Sequence, residues 1–145
     1  MSLPRRVVLD TSTLVSAALK PGSVPHQAML HALARCDVCA SVQTWLELEK
    51  VMQRARLDRY LEREVRLEFA DMLRNSMHFF AVTQADEDAL QPACRDALDN
   101  KFLALAQVCQ ADLLVSSDAD LLVLHPWRGV PVLRPAEFLS HVGAL

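Results

Sequence analysis

The sequence lacks the features that would divide or anchor it. No Gly/Ser-rich linker, internal repeat or low-complexity stretch interrupts its 145 residues, so a string of small modules is excluded and one domain over residues 1–145 is expected. Two arginines stand near the N-terminus, but no long apolar stretch follows them, and no secretory leader is expected. No apolar run approaches the roughly 18 residues that a membrane span needs. The expected setting is the cytoplasm, with no membrane partner. Cysteine is sparse. Cys36 and Cys39 have C-x-x-C spacing, yet no second pair and no nearby histidine completes a zinc site. Cys39 and Cys109 fall on expected buried faces, where free cysteine is a small core residue. An excess of positive charge is also missing: the net charge of −3 excludes an overtly basic nucleic-acid binder. That exclusion is partial. Taking five clustered carboxylates away from −3 leaves a remainder of +2.

What is present is an apolar half, 52% of the chain, arranged in alternating patterns. Short β-branched runs read as strands: RVVL, DVCAS, HFFAVT, DLLVSS and VPVL. Between them, apolar residues recur at helical spacing in SVPHQAMLHALARC, QTWLELEKVMQRARL, YLEREVRLEFADMLRNS, DALDNKFLALAQVCQ and RPAEFLSHV. Strands that are apolar throughout and separated by helices imply a parallel sheet covered on both faces. With right-handed crossovers, the expected fold is a three-layer α/β/α sandwich around a parallel sheet of about five strands. Such sheets place their sites at the carboxyl ends of the strands, where strand order reverses. If the first and fourth strands are neighbours, Asp10 and Asp118 face one crevice.

Each candidate acid has a structural account beside a functional one. Asp10 follows the first strand and could cap the next helix, although Thr11, Ser12 or Thr13 could serve instead. Glu47 borders the stripe Leu48, Val51, Met52 and Ala55, while Glu49, Lys50, Gln53 and Arg54 lie further round, toward water. An acid at such a border needs a cation or hydrogen bonds, unless it is a rim residue whose head escapes. Asp99 stands one turn before Phe102 and Leu103, where a helix dipole also favours an acid. Asp96 is the better cap for that helix. Asp118 and Asp120 follow the fourth strand, more acid than one cap requires. Taken jointly, Asp10, Glu47, Asp99 and Asp118 can converge on one crevice. Like charges so close need a counter-charge, and an all-carboxylate set suits Mg²⁺ or Mn²⁺ rather than zinc.

The stretches VVLDTSTLVSAAL, ELEKVMQRARLDRYL, CRDALDNKFLALAQVCQADLLVSSDADLL and GVPVLRPAEFL, in this order over nearly the whole chain, resemble PIN-domain proteins. Among these they are most similar to the bacterial toxin components of toxin–antitoxin systems, the VapC-like ribonucleases. The resemblance implies a Mg²⁺- or Mn²⁺-dependent endoribonuclease hydrolysing RNA phosphodiester bonds. It further implies a small antitoxin protein as partner and a homodimer as assembly. Carried over residue by residue, it implies catalytic roles for Asp10, Glu47, Asp99 and Asp118 and metal binding by Asp10, Glu47, Asp96, Asp99 and Asp118. Asp120 is accessory, and Ser12 and Ser116 support the site. One departure is DALDN, where Asn100 stands in place of a second acid and weakens any ligand role there.

Phosphate contact needs positive charge beside the acids. RARLDRYLEREVR offers Arg54, Arg56, Arg59, Arg63 and Arg66 against Asp58, Glu62 and Glu64, and most of these read as solvated, ion-paired helix residues. Arg54 and Arg56, just beyond the Glu47 helix, are the better phosphate candidates. Trp45 and Tyr60 could stack on a base, but fit a core or interface role better. Two other readings stay open. A phosphatase with an aspartyl nucleophile would want a second aspartate at position 12, which is Ser12. A non-catalytic protein- or RNA-interaction module with the same fold would use the acids as caps and rim charges.

Overall fold

The computed structural model describes residues 3–144. Five strands form one parallel sheet: β1 (Arg6–Leu9), β2 (Asp37–Ala40), β3 (His78–Phe79), β4 (Leu113–Val115) and β5 (Val132–Leu133), in the order β3-β2-β1-β4-β5. The chain builds outward from β1 through β2 to β3, then returns to the other side of β1 for β4 and β5. Strand order therefore reverses between β1 and β4, which pair with Val7 opposite Leu113 and Leu9 opposite Val115. The expected neighbours are neighbours.

Strand residues alternate between two cores, as the pleat requires. Val7, Leu9, Val38, Leu113 and Val115 pack on one face against α1 (Thr11–Leu19), α2 (Val24–Arg35), α3 (Val42–Met52), α4 (Arg63–Ser76) and α8 (Pro135–His141). Val8, Cys39, Leu114 and Val132 pack on the other against α6 (Asn100–Val108), Leu121 of α7 (Ala119–Leu122) and the buried Trp127. The three-layer arrangement follows from these two apolar faces. A further short helix, α5 (Gln84–Asp88), was not expected from the hydrophobic pattern. It is set by a capping box between Thr83 and Asp86.

Three elements differ from the sequence-based expectation. The helix expected through Leu57 ends at Met52, and residues 55–57 form a separate 3₁₀ turn. The cause is Arg66 of α4, whose guanidinium takes the carbonyls of Met52 (2.8 Å) and Arg54 (3.2 Å) and turns the backbone out of the helix. The helix expected from Asp96 begins at Asn100. Asp96 instead caps a 3₁₀ turn over Ala97–Asp99, its Oδ1 accepting the Leu98 N–H at 3.0 Å. The strand expected over residues 78–83 is regular only at His78–Phe79, being an edge strand paired on one side. Trp45 is a core residue, and the four cysteines are free thiols.

Candidate active site

The carboxyl ends of β1 and β4 open into a cleft of about 660 Å³ lined by Asp10, Glu47, Asp99 and Asp118. Four elements deliver these acids: the β1–α1 junction, α3, the start of α6 and the β4–α7 junction.

Asp10 is buried, and both its oxygens are occupied. Oδ1 accepts the Thr13 N–H (2.9 Å), capping α1, and the Ser12 hydroxyl (3.1 Å). Oδ2 accepts the Ser116 hydroxyl at 2.5 Å. The cap and the site residue are thus the same side chain. Burial pushes the Asp10 carboxyl above its ordinary range, against the pull of these donors. Ser116 ties the two strand ends together: it donates to Asp10, and its oxygen accepts the Asp118 N–H at 2.9 Å. Asp118 in turn caps α7 through the Asp120 N–H, also at 2.9 Å.

The acids carried by helices are less satisfied. Asp99 Oδ2 is buried without a hydrogen-bond partner. Burial first, then the adjacent Asp118 carboxylate, then Asp96 and Glu47, push the Asp99 carboxyl up to about 7. Glu47 is bonded to the ammonium of Lys101, a residue of α6 that also lines the cleft. Lys101 was not singled out from sequence. The available signal was its position, a charge beside the buried Phe102, which is the argument that singled out Glu47.

Asp96 and Asp120 do not line the cleft. Asp96 is exposed and caps its own turn. Asn100 accepts the Cys94 N–H at 2.7 Å, a structural use of that position. Arg54 and Arg56 line the cleft, as does Lys50, although the helical pattern turned Lys50 and Arg54 toward water. The reading of Arg66 as a solvated helix residue is corrected: it is fully buried, because four acceptors around the α3–α4 connection satisfy it.

The donor set fits a hard divalent cation. It is all oxygen, one buried oxygen has no partner, and two carboxyls are shifted toward their neutral forms, Asp10 by burial and Asp99 by burial and the acids around it. Among the described residues no three His, Cys, Asp or Glu side chains are gathered closely enough to form a metal-binding group. Glu47 is instead drawn to Lys101.

A parallel α/β/α sheet with a carboxylate cleft at its topological switch point defines the class. The chain belongs to the PIN domain family, whose model matches residues 6–120. Solved structures share the fold at low identity. PAE2754 from Pyrobaculum aerophilum aligns with a TM-score of 0.62 at 14% identity, covering 97% of this chain and 91% of that one. VapBC2 from Rickettsia felis, solved bound to a DNA fragment from their promoter, aligns at 0.63 and 12%, covering 88% and 96%. VapC20 from Mycobacterium tuberculosis, a sarcin–ricin loop cleaving toxin, aligns at 0.54 and 16%, covering 79% and 91%. No curated protein sequence matches the chain. No helix among the described residues is long and apolar enough to cross a membrane.

Proposed function

We propose that this PIN domain is a Mg²⁺- or Mn²⁺-dependent endoribonuclease and the toxin of a toxin–antitoxin pair. The observation that carries this reading is the meeting of Asp10, Glu47, Asp99 and Asp118 in one cleft with Lys50, Arg54 and Arg56 on its walls. Acids alone would repel a phosphodiester, and bases alone would bind it without cutting. Family membership and the similarity to VapC20, a sarcin–ricin loop cleaving toxin, support the same chemistry.

Asp10, Asp99 and Asp118 are the residues that would hold the ion, directly or through water. When bound, such an ion supplies Lewis-acid stabilisation of phosphoryl charge and makes water a better nucleophile. The chain's own groups do the rest. Ser12 and Ser116 fix the Asp10 carboxylate, so it reorganises little during the reaction. Glu47 lines the cleft and can orient water or take its proton. Lys101 holds Glu47 in place and adds positive charge near the scissile phosphate. Lys50, Arg54 and Arg56 bind neighbouring phosphates. An antitoxin would have to cover this cleft, and the exposed Leu46 at its wall with nearby Val42 offers apolar surface for a protein partner. The homodimer stands on resemblance to the family.

The test pairs the wild-type protein with Asp10→Asn. Wild type should cleave RNA with Mg²⁺ or Mn²⁺ and not with chelator, and its expression should arrest bacterial growth. The variant should do neither. Equal cleavage by both proteins means a contaminating nuclease and leaves the interaction-module reading in its place.

A further inference from the structure

The most buried charge in the protein has no part in the chemistry above. Arg66 on α4 has no exposed surface. An arginine stays ionised when buried, so its desolvation must be offset by acceptors. It has them. Nε donates to the Met52 carbonyl at 2.8 Å, and Nη1 donates to the Leu61 carbonyl. Nη2 donates to the Arg54 carbonyl at 3.2 Å and to Asp58 Oδ1 at 2.8 Å. These acceptors stand at both ends and in the middle of one excursion, the α3–α4 connection. A single planar group therefore fixes the whole connection, and a lysine could not match that fork.

The connection carries Arg54 and Arg56, exposed side chains on the cleft wall. Their placement depends on where α3 stops. Were α3 to run on through Leu57, as its periodicity suggests, Arg54 would keep to the cleft face of Glu47 and Lys50, but Arg56 would fall opposite Glu47, on the side of the buried Met52. Taking up the Met52 carbonyl, which a longer α3 would offer to the Arg56 N–H, ends α3 early, while the Arg54 carbonyl is shared with the Leu57 N–H at 3.0 Å. The early end leaves Arg54 extended (φ −65°, ψ 127°) at the mouth of the cleft. Leu57 packs beneath as a buried anchor.

We propose that Arg66 is a positioning residue for RNA: its buried guanidinium ends α3 and holds the α3–α4 connection so that Arg54 and Arg56 are pre-set against the phosphates flanking the cleavage site. This rests on the ribonuclease reading. It assigns the connection to substrate binding, organised before RNA arrives rather than ordered by it.

The experiment is a mutant cycle read by binding of a short labelled single-stranded RNA, in chelator to prevent cleavage, over a range of salt. Arg54→Gln with Arg56→Gln should weaken binding and flatten the salt dependence by about 0.7 log unit per lost phosphate contact. Arg66→Met should weaken binding by a similar factor and flatten the slope likewise, although Arg66 itself cannot reach solvent. Placed on the double variant, Arg66→Met should add nothing. An equal loss in both backgrounds, or an unchanged slope, overturns the proposal, because a merely structural role is additive and independent of salt. Should Arg66→Met not fold, Asp58→Ala takes its place. Asp58 is exposed, and its loss removes one of the four acceptors. A smaller weakening that vanishes in the double variant supports the proposal, and an additive one overturns it. If the Arg54, Arg56 double variant binds RNA like wild type, the assignment of the phosphate contacts has failed, and the role of Arg66 with it. If that variant is weakened and Arg66→Met is not, only the role of Arg66 fails.

Discussion

The two walls of the cleft are built on different principles. On the strand wall, Asp10 and Asp118 sit at the ends of paired strands, with Ser116 between them, and their oxygens accept bonds from Thr13, Ser12, Ser116 and Asp120. Sheet pairing sets their positions, since Asp10 N–H itself continues the ladder to the Val115 carbonyl at 3.1 Å. On the helix wall, Asp99 has an orphaned buried oxygen and Glu47 leans on Lys101. One wall is satisfied by the protein. The other is left with repulsion among its acids that one lysine only partly offsets. The proposed ion site would use both: rigid oxygens to define geometry, and unsatisfied ones to make binding favourable.

Neutralising one acid on each wall breaks this comparison most sharply. Asp99→Asn and Asp10→Asn should both lower RNA cleavage by more than about a hundredfold, since each removes a proposed ion-holding carboxylate and loss of an outer partner alone costs about 10–100-fold. Their stabilities should part. Without divalent ions at pH 8, Asp99→Asn should melt above wild type, because it removes a carboxylate crowded by Asp118, Asp96 and Glu47. Asp10→Asn should melt below, because an amide has one acceptor oxygen where three donors converge on two. Thermal melts beside cleavage rates check this. Parallel shifts in the two melting temperatures would mean that the walls do not differ.

The strand wall was the more legible of the two in the sequence, for the same reason that it is rigid. Apolar β-branched runs locate β1 and β4, and period and topology then put Asp10 and Asp118 in one crevice. The helix wall depends on where helices begin and end, and those boundaries are set by groups distant in sequence. Nothing in DALDNKF says that Asp96 spends its carboxylate on Leu98 or that α6 starts at Asn100. Nothing in EKVMQRARL says that a guanidinium 14 residues beyond Met52 will stop the helix there. Lys101 escaped notice because a lysine among acids reads as surface charge until its Nζ is seen on Glu47.

Lys101→Met tests the helix wall from the other side, with a smaller effect. The ion pair is partly buried, with side-chain exposures of 18% for Lys101 and 26% for Glu47, so its loss should cost about 1–2 kcal/mol in the metal-free protein. Cleavage should fall by about tenfold, as expected for a group that orients a reacting one. Saturating Mn²⁺ should restore much of the lost stability, since the ion supplies the charge the lysine supplied. A variant as stable as wild type without metal, and as active with it, would reduce the pair to a surface ornament.

The smallest effect is on pH, and the variant that abolishes it tells which wall carries the titrating acid. Asp99 holds its proton up to about 7 when folded, against a usual carboxylate value of roughly 4 when unfolded. Asp10 is shifted the same way. In that interval the folded state binds more protons than the unfolded chain, so metal-free stability declines as pH rises through it. The melting temperature should therefore drop by about 2–4 °C from pH 5.5 to pH 8 for each kcal/mol involved. Asp99→Asn should remove most of that drop, while Lys101→Met, which takes a positive charge from the cleft that Glu47 and Asp99 line, should enlarge it. Differential scanning calorimetry of the three proteins in chelator gives the comparison directly. A drop that persists unchanged in Asp99→Asn would locate the titrating group elsewhere, with Asp10 on the strand wall the first to examine. The inference that the strained acid lies on the helix wall would then be wrong.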